Sequence, residues 1–156
     1  MMCETQIQEK MTVLFLCTHN SARSQMAEGL LRAMYGDRYE AHSAGVKATS
    51  LDPLAVQVMK DIGIDISIQR SKSFDEFKDR IFDVAVTVCD RANQACPICS
   101  SDLKLPIKFP KAKEVIHRSF KDPAIARGSE EEKLEAYREV REEIKKWISQ
   151  TFGRSS

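Results

Sequence analysis

The 156-residue chain lacks an apolar run that approaches a membrane span. Its first ten residues, Met1 to Lys10, contain no apolar core of the kind a secretory signal needs. They read as a polar tail, residues 1–10, ahead of a single domain over 11–152. Net charge is also nearly absent: 24 Lys and Arg against 23 Asp and Glu leave +1. No broad field draws such a protein to nucleic acid or to anionic lipid. No internal repeat, low-complexity stretch or linker interrupts the chain. The five cysteines are an odd number, and nothing marks the chain for export. They therefore point away from a disulfide framework and toward catalytic, redox or metal chemistry in a reducing compartment, the cytoplasm.

What is present is an alternation of strand and helix patterns. Thr12–Leu16, Tyr39–Ser43, Val84–Val88 and Glu114–His117 read as strands, the third apolar throughout, as a strand covered on both faces would be. Ser24–Tyr35 reads as a helix whose apolar face is Met26, Ala27, Leu30, Leu31, Met34 and Tyr35, stopped by Gly36. Asp52-Pro53 opens a second helix, running to Gly63. Phe74–Lys78 suggests a short one. Ser129 begins a long helix with a stripe of Leu134, Tyr137, Val140, Ile144, Trp147 and Ile148. Residues 89–111 are irregular. This order predicts an α/β fold: a four-stranded parallel sheet with helices on both faces. Ligands in such sheets bind at the carboxyl ends of the strands. Cys17 follows the first strand and Cys89 the third, so both belong on one rim.

Cys17 stands where the first strand becomes a polar loop and then a helix, in Cys17-Thr18-His19-Asn20-Ser21-Ala22-Arg23-Ser24. A loop entering a helix aims successive backbone N–H groups at one place, and the helix dipole adds positive potential there. That suits a tetrahedral oxyanion held by Thr18, His19, Asn20, Ser21, Ala22, Arg23 and Ser24. The same field favours a thiolate at a helix N-terminus, so Cys17 is expected as a nucleophile. Arg23 supplies a planar fork for two anion oxygens. Ser24 is placed to donate its hydroxyl to Cys17. Asn20 tolerates the left-handed region and bonds locally. Without the flanking strand and helix, Cys-x5-Arg would say little, and a buried structural cysteine with a surface arginine would be the plainer account. The side chain of His19 is given no catalytic role.

Two further segments carry chemistry. Cys89, Cys96 and Cys99 lie within eleven residues of loop. Cys96-x-x-Cys99 has zinc-ligand spacing, with Cys89, Cys3 and His117 as candidates to complete a site. The competing account is a thiol relay, in which one thiolate attacks a sulfur and a further thiol carries the disulfide outward. Phe120-Lys121-Asp122-Pro123-Ala124 follows the last strand, so Asp122 can lean over the same rim and protonate a departing oxygen. An Asp-Pro is also a common turn.

Together these features resemble a known family. Cys17–Gly29, Ser43-Ala44-Gly45 and Asp122-Pro123 look like the low-molecular-weight protein tyrosine phosphatase fold. Within it, Val86–Cys89, Cys96-Pro97 and Phe120–Ala124 are similar to the thioredoxin-coupled arsenate reductases, over about residues 11–150. The resemblance implies that Cys17 attacks arsenate held by the loop and Arg23, with Asp122 as the acid. It implies that Cys89 then attacks Cys17, releasing arsenite, that Cys96 resolves the disulfide, and that thioredoxin restores the thiols. No cofactor is implied. Cys99 is extra to the family pattern and offers a second resolving thiol. Ala22 stands where many such reductases carry another Cys. Some members bind potassium beside the loop through groups corresponding to Asn20, Glu28 and Ser43 and an Asp; Lys72 stands where that Asp aligns, which implies no potassium requirement. The alternative within the fold is a phosphatase acting on phosphotyrosine or small phosphoesters. A zinc- or redox-sensing module is the non-enzymatic alternative.

Overall fold

The structure, a computed structural model, describes residues 10–17, 19–77, 79–88 and 111–153. Cys3, Thr18, Cys89, Cys96 and Cys99 lie outside them. The described elements, in chain order, are β1 (Met11–Cys17), α1 (Arg23–Tyr35), β2 (Tyr39–Gly45), α2 (Pro53–Lys60), β3 (Ile81–Thr87), β4 (Lys111–His117) and α3 (Glu130–Phe152), with single 3-10 turns at Phe74–Phe77 and Pro123–Ile125. The strands form one sheet in the order β2-β1-β3-β4, every pair parallel. This is the expected four-stranded α/β sheet.

Alternation along β1 divides the core between two faces. Val13, Phe15 and Cys17 join Val84, Val86 and Val88 under α1, α2 and α3. Leu14 and Leu16 turn the other way and pack with Ala44, Phe74, Phe77, Phe82 and Ala85. Both faces are covered, unequally: three α-helices on one, and among the described residues the Phe74–Phe77 turn on the other.

The sequence signals for helix starts are used as expected in two of the three α-helices. Asp52 caps α2 by accepting from the Leu54 N–H, with Pro53 in the first turn. Ser129 and Glu132 close a capping box on α3. α2 ends at Lys60 rather than near Gly63, because Asp61–Gly63 turn back through Ile62 N–H to Met59 O at 3.1 Å. Gly36 ends α1 in a right-handed conformation. A Cβ there would fall 2.3 Å from the Arg32 carbonyl oxygen, so the glycine is needed for close approach, not for a left-handed turn.

The rim holding the carboxyl ends of β1 and β3 is tied together by backbone. Leu16 pairs with Thr87, and Val88 N–H donates to Leu16 O at 2.8 Å. Phe120 N–H reaches Val88 O at 3.4 Å. The segment after β4 that carries Asp122 is thereby held beside Val88, which follows β3 and is the last described residue before Cys89.

Candidate active site

Cys17 is the last residue of β1 and is buried. Its sulfur receives the Asn20 N–H at 3.2 Å and lies 2.9 Å from Ser24 Oγ. Asn20 has φ +53°, so the chain folds back sharply enough to aim its amide at the sulfur. α1 begins at Arg23 without a side-chain cap and without an acidic residue in its first turn. An uncapped N-terminus of this kind leaves backbone donors and positive potential for an anion.

Arg23 is the cation over that opening. One guanidinium nitrogen donates to Phe120 O at 3.1 Å, and the other stands 3.7 Å from Asp122 Oδ2. Asp122 caps the 3-10 turn that follows it, accepting from the Ala124 N–H at 3.0 Å. Its side chain is about one-third exposed. Cys17, Arg23 and Asp122, 105 positions apart at the extremes, therefore meet on one rim, as the sequence implied.

The loop is held from below and from the side. Asp52 N–H donates to Ser21 O at 3.0 Å, and Asp52 Oδ2 accepts the Tyr137 hydroxyl at 2.5 Å. Burial and the neighbouring Asp52 carboxylate raise the Tyr137 pKa above its usual 10.0, so it stays a donor. Ser71 Oγ donates to His19 O at 2.9 Å. Thr18 lies outside the described residues. Phe120 is clamped between Arg118, 4.6 Å from its ring centroid, and Trp147, edge-on at 6.0 Å.

Under the loop lies a charged cluster. Glu28 accepts Ser43 Oγ at 2.5 Å, pairs with Arg32, and faces Lys72 Nζ at 3.6 Å. Lys72 also donates to Arg70 O at 3.2 Å. Burial pulls the Lys72 pKa below its usual 10.5, and Glu28 opposes that shift. The ammonium thus faces Glu28, which also holds Ser43, while the Lys72 backbone N–H holds Asn20 Oδ1. Among the described residues no group of three or more His, Cys, Asp or Glu side chains is placed to hold a metal ion.

Three residues at this site escaped the sequence: Gln25, Gln69 and Phe120. Gln25 bonds to Asn20 in the loop, Gln69 bonds to Gln25 from across the fold, and Phe120 acts through its carbonyl. The Gln25-to-Gln69 separation of 44 positions carries no local signal. Cys89 and Cys96 of the expected Cys17–Cys89–Cys96 relay, the alternative resolving thiol Cys99, and all zinc candidates except His117 fall outside the described residues.

Residues 12–154 match the family described as low molecular weight phosphotyrosine protein phosphatase. An arsenate reductase of Halalkalibacterium halodurans is 44% identical over 144 residues, covering 92% of this chain and 96% of that protein. A solved structure of an arsenate reductase in its phosphate-binding state superposes with TM-score 0.71 at 27% identity, covering 94% of this chain and 99% of that one. A low molecular weight protein tyrosine phosphatase of T. tengcongensis superposes with TM-score 0.67 at 28% identity, covering 92% and 99%. With the Cys17 loop, Arg23 and Asp122 on one rim of a four-stranded parallel sheet, the chain belongs to the low molecular weight phosphotyrosine protein phosphatase family, and within it to the arsenate reductases.

Proposed function

We propose that this protein reduces arsenate to arsenite by nucleophilic attack of Cys17, followed by a Cys17–Cys89–Cys96 disulfide relay. The observation that carries the first step is the meeting of Cys17, Arg23 and Asp122 at the uncapped start of α1. The anion sits on the loop amides and the Arg23 fork. Cys17 thiolate attacks arsenic, and Asp122 gives its proton to the oxygen that leaves as water. Cys89 thiolate then attacks the Cys17 sulfur. The S–As bond breaks with its electron pair on arsenic, which leaves as arsenite, and a Cys17–Cys89 disulfide remains. Cys96 attacks Cys89 and frees Cys17 as thiolate.

The resulting Cys89–Cys96 disulfide needs an external dithiol, and a protein disulfide is what thioredoxin reduces. A reducing cytoplasm fits that cycle. Arg23, Cys17 and Asp122 equally suit ester hydrolysis, so slow phosphatase activity accompanies the reductase. Asp122 is followed by Pro123, Ala124 and Ile125, with no ring to sandwich a phenyl group, which favours a small inorganic substrate.

The test is one turnover with arsenate and no reductant, then mass mapping of disulfides. Cys89 joined to Cys96 is the expected product. Cys89 joined to Cys99 makes Cys99 the resolving thiol. Free thiols throughout overturn the reductase reading in favour of the phosphatase.

A further inference from the structure

A continuous file of side chains runs from the outer face of α1 to the Cys17 sulfur. Arg32 donates to Gln69 Oε1 at 3.0 Å. Gln69 Nε2 donates to Gln25 Oε1 at 2.7 Å. Gln25 Nε2 donates to Asn20 Oδ1 at 2.9 Å. Asn20 Nδ2 donates to Ser24 Oγ at 2.7 Å, and Ser24 Oγ is 2.9 Å from the sulfur. Gln25, Asn20 and Ser24 are fully buried.

Each amide in this file is oriented by a backbone group of fixed polarity. Gln69 Nε2 also reaches the Gln25 carbonyl at 3.1 Å, so that end must be the donor. Gln25 Nε2 also lies within hydrogen-bond distance of the carbonyls of Asn20 at 3.0 Å and Arg70 at 2.9 Å, so its two protons are shared among three acceptors and that end must be the donor. The Lys72 N–H donates to Asn20 Oδ1 at 2.9 Å, which turns Asn20 Nδ2 toward Ser24. Ser24 Oγ accepts from Asn20, so its own proton is directed at Cys17, and a thiolate there has no proton to return. Every bond points from the Arg32 cation toward the sulfur. Hydrogen bonds aligned this way polarise one another.

We propose that Arg32, Gln69 and Gln25 are positioning residues that act through Asn20 and Ser24 to hold Cys17 as a reactive thiolate. The proposal rests on the reading of Cys17 as nucleophile. The segment carrying Gln69, Arg70 and Lys72 is then part of the nucleophile's support, although it lies about fifty residues away in sequence. Arg23 and Asp122, whose partners include neither Gln69 nor Gln25, keep their contacts when Gln69 is changed. Lys72 and Glu28 do so as well, whereas changing Arg32 also strips Glu28 of a partner. Gln69 is therefore the cleaner site.

The experiment is residue-resolved alkylation of Cys17 by iodoacetamide across pH, read by mass spectrometry on the full chain. Gln69→Met and Gln25→Met are each compared with the unaltered protein, with circular dichroism checking the fold. Gln69 is half-buried, so its variant retains the fold even where Gln25→Met does not. Gln69→Met slows Cys17 alkylation at neutral pH about threefold and moves its rate profile about half a pH unit to the alkaline side. In a Ser24→Ala background the same change has no further effect. A folded Gln69→Met with an unaltered profile, or an equal slowing with and without Ser24, overturns the relay. Cys17→Ser tests the underlying reading separately: retained arsenite production would move the nucleophile elsewhere, whatever the alkylation profiles show.

Discussion

Arg23 and Asp122 stand 3.7 Å apart, the first opening α1 and the second opening the 3-10 turn after β4. Arg23 also holds the Phe120 carbonyl, two residues before Asp122. In the proposed cycle, the cation that grips the anion therefore also positions the segment that supplies the proton. A lysine carries the charge but has no planar fork to serve both. Arg23→Lys is expected to lower kcat/KM for arsenate by about 10²–10³, comparable with losing one preorganised donor to an anion. Asp122→Asn should separate the two roles. Removing the carboxylate leaves phosphate, read as a competitive inhibitor, bound as tightly or more so, because a negative charge beside the anion is gone. The first chemical step slows by about 10²–10⁴ for want of an acid. A loss of phosphate affinity with unchanged turnover would place the proton donor elsewhere.

Cys89→Ser divides the two activities of the fold. In the proposed mechanism, hydrolysis of p-nitrophenyl phosphate uses Cys17, Arg23 and Asp122 but not Cys89, so it should continue at a rate within about twofold of the unaltered chain. Arsenite formation needs a second thiol to break the S–As bond, and it should stop after the first step. Multiple-turnover arsenite release by Cys89→Ser in the presence of thioredoxin would contradict the relay.

The local part of this architecture was legible because it is local. Cys17, Asn20, Arg23 and Ser24 fall within eight residues whose strand-to-helix context fixes their directions. Asp52-Pro53 and Ser129 were legible as helix starts because each cap acts on an amide two or three positions away. Asp122 was readable only as a residue after the last strand; its partner Arg23 is 99 positions away, and topology brought them together. Gln25, Gln69 and the Lys72 N–H were invisible for the opposite reason. Their roles depend on which long-range carbonyl or amide they meet, and a glutamine on a helix gives no sign of that. Gly36 shows a smaller form of the same gap: a helix-ending glycine is expected in the left-handed region, yet here crowding by the Arg32 carbonyl decides.

Lys72 carries a prediction about cations. Its ammonium lies 3.6 Å from Glu28 Oε1, with a side chain only 11% exposed. A fixed positive charge already faces Glu28 and Ser43, so potassium should raise arsenate affinity no more than sodium does at equal ionic strength. Lys72→Gln removes that charge and should weaken phosphate binding severalfold. The Lys72 N–H bond to Asn20 belongs to the backbone and survives the change. A potassium-specific rise in affinity in the unaltered protein would refute this account of Lys72.

Asp83 gives a prediction for acid. The Thr12 N–H donates to its carboxylate at 2.8 Å and Lys113 stands 3.3 Å away. The Thr12 hydrogen bond, with a smaller contribution from Lys113, holds its pKa below the usual 3.8, against the opposing effect of burial. The sign follows from linkage: a depressed carboxylate pKa contributes stability above about pH 4 that is lost as the pH falls through the lowered folded-state value. Asp83→Asn should make the protein less stable at neutral pH and narrow that difference as the solution is acidified below pH 4. Urea unfolding at pH 7 and at pH 3 measures both, and a gap that widens in acid would reverse the assignment.

Gly29 sits inside α1, where glycine costs a helix about 1 kcal/mol relative to alanine. Its presence has a packing cause. A Cβ at Gly29 would lie 2.5 Å from Ile66 Cγ2, and 3.4 Å from both Gln69 Oε1 and Met59 Cε. Ile66 and Met59 are fully buried, so the helix must move away or the core must deform. Overpacking of this kind costs about 1–3 kcal/mol, and with both neighbours fully buried it outweighs the gain in helix propensity. Gly29→Ala is therefore expected to lower Tm by a few degrees, at about 2–4 °C per kcal/mol for a chain of this size. The added methyl also presses toward the residue linking Arg32 to Gln25. Cys17 alkylation in Gly29→Ala should slow along with Gln69→Met, and the two changes combined should slow it by less than the product of the two factors. A stabilised Gly29→Ala with unaltered Cys17 reactivity would show that Ile66 yields without disturbing Gln69.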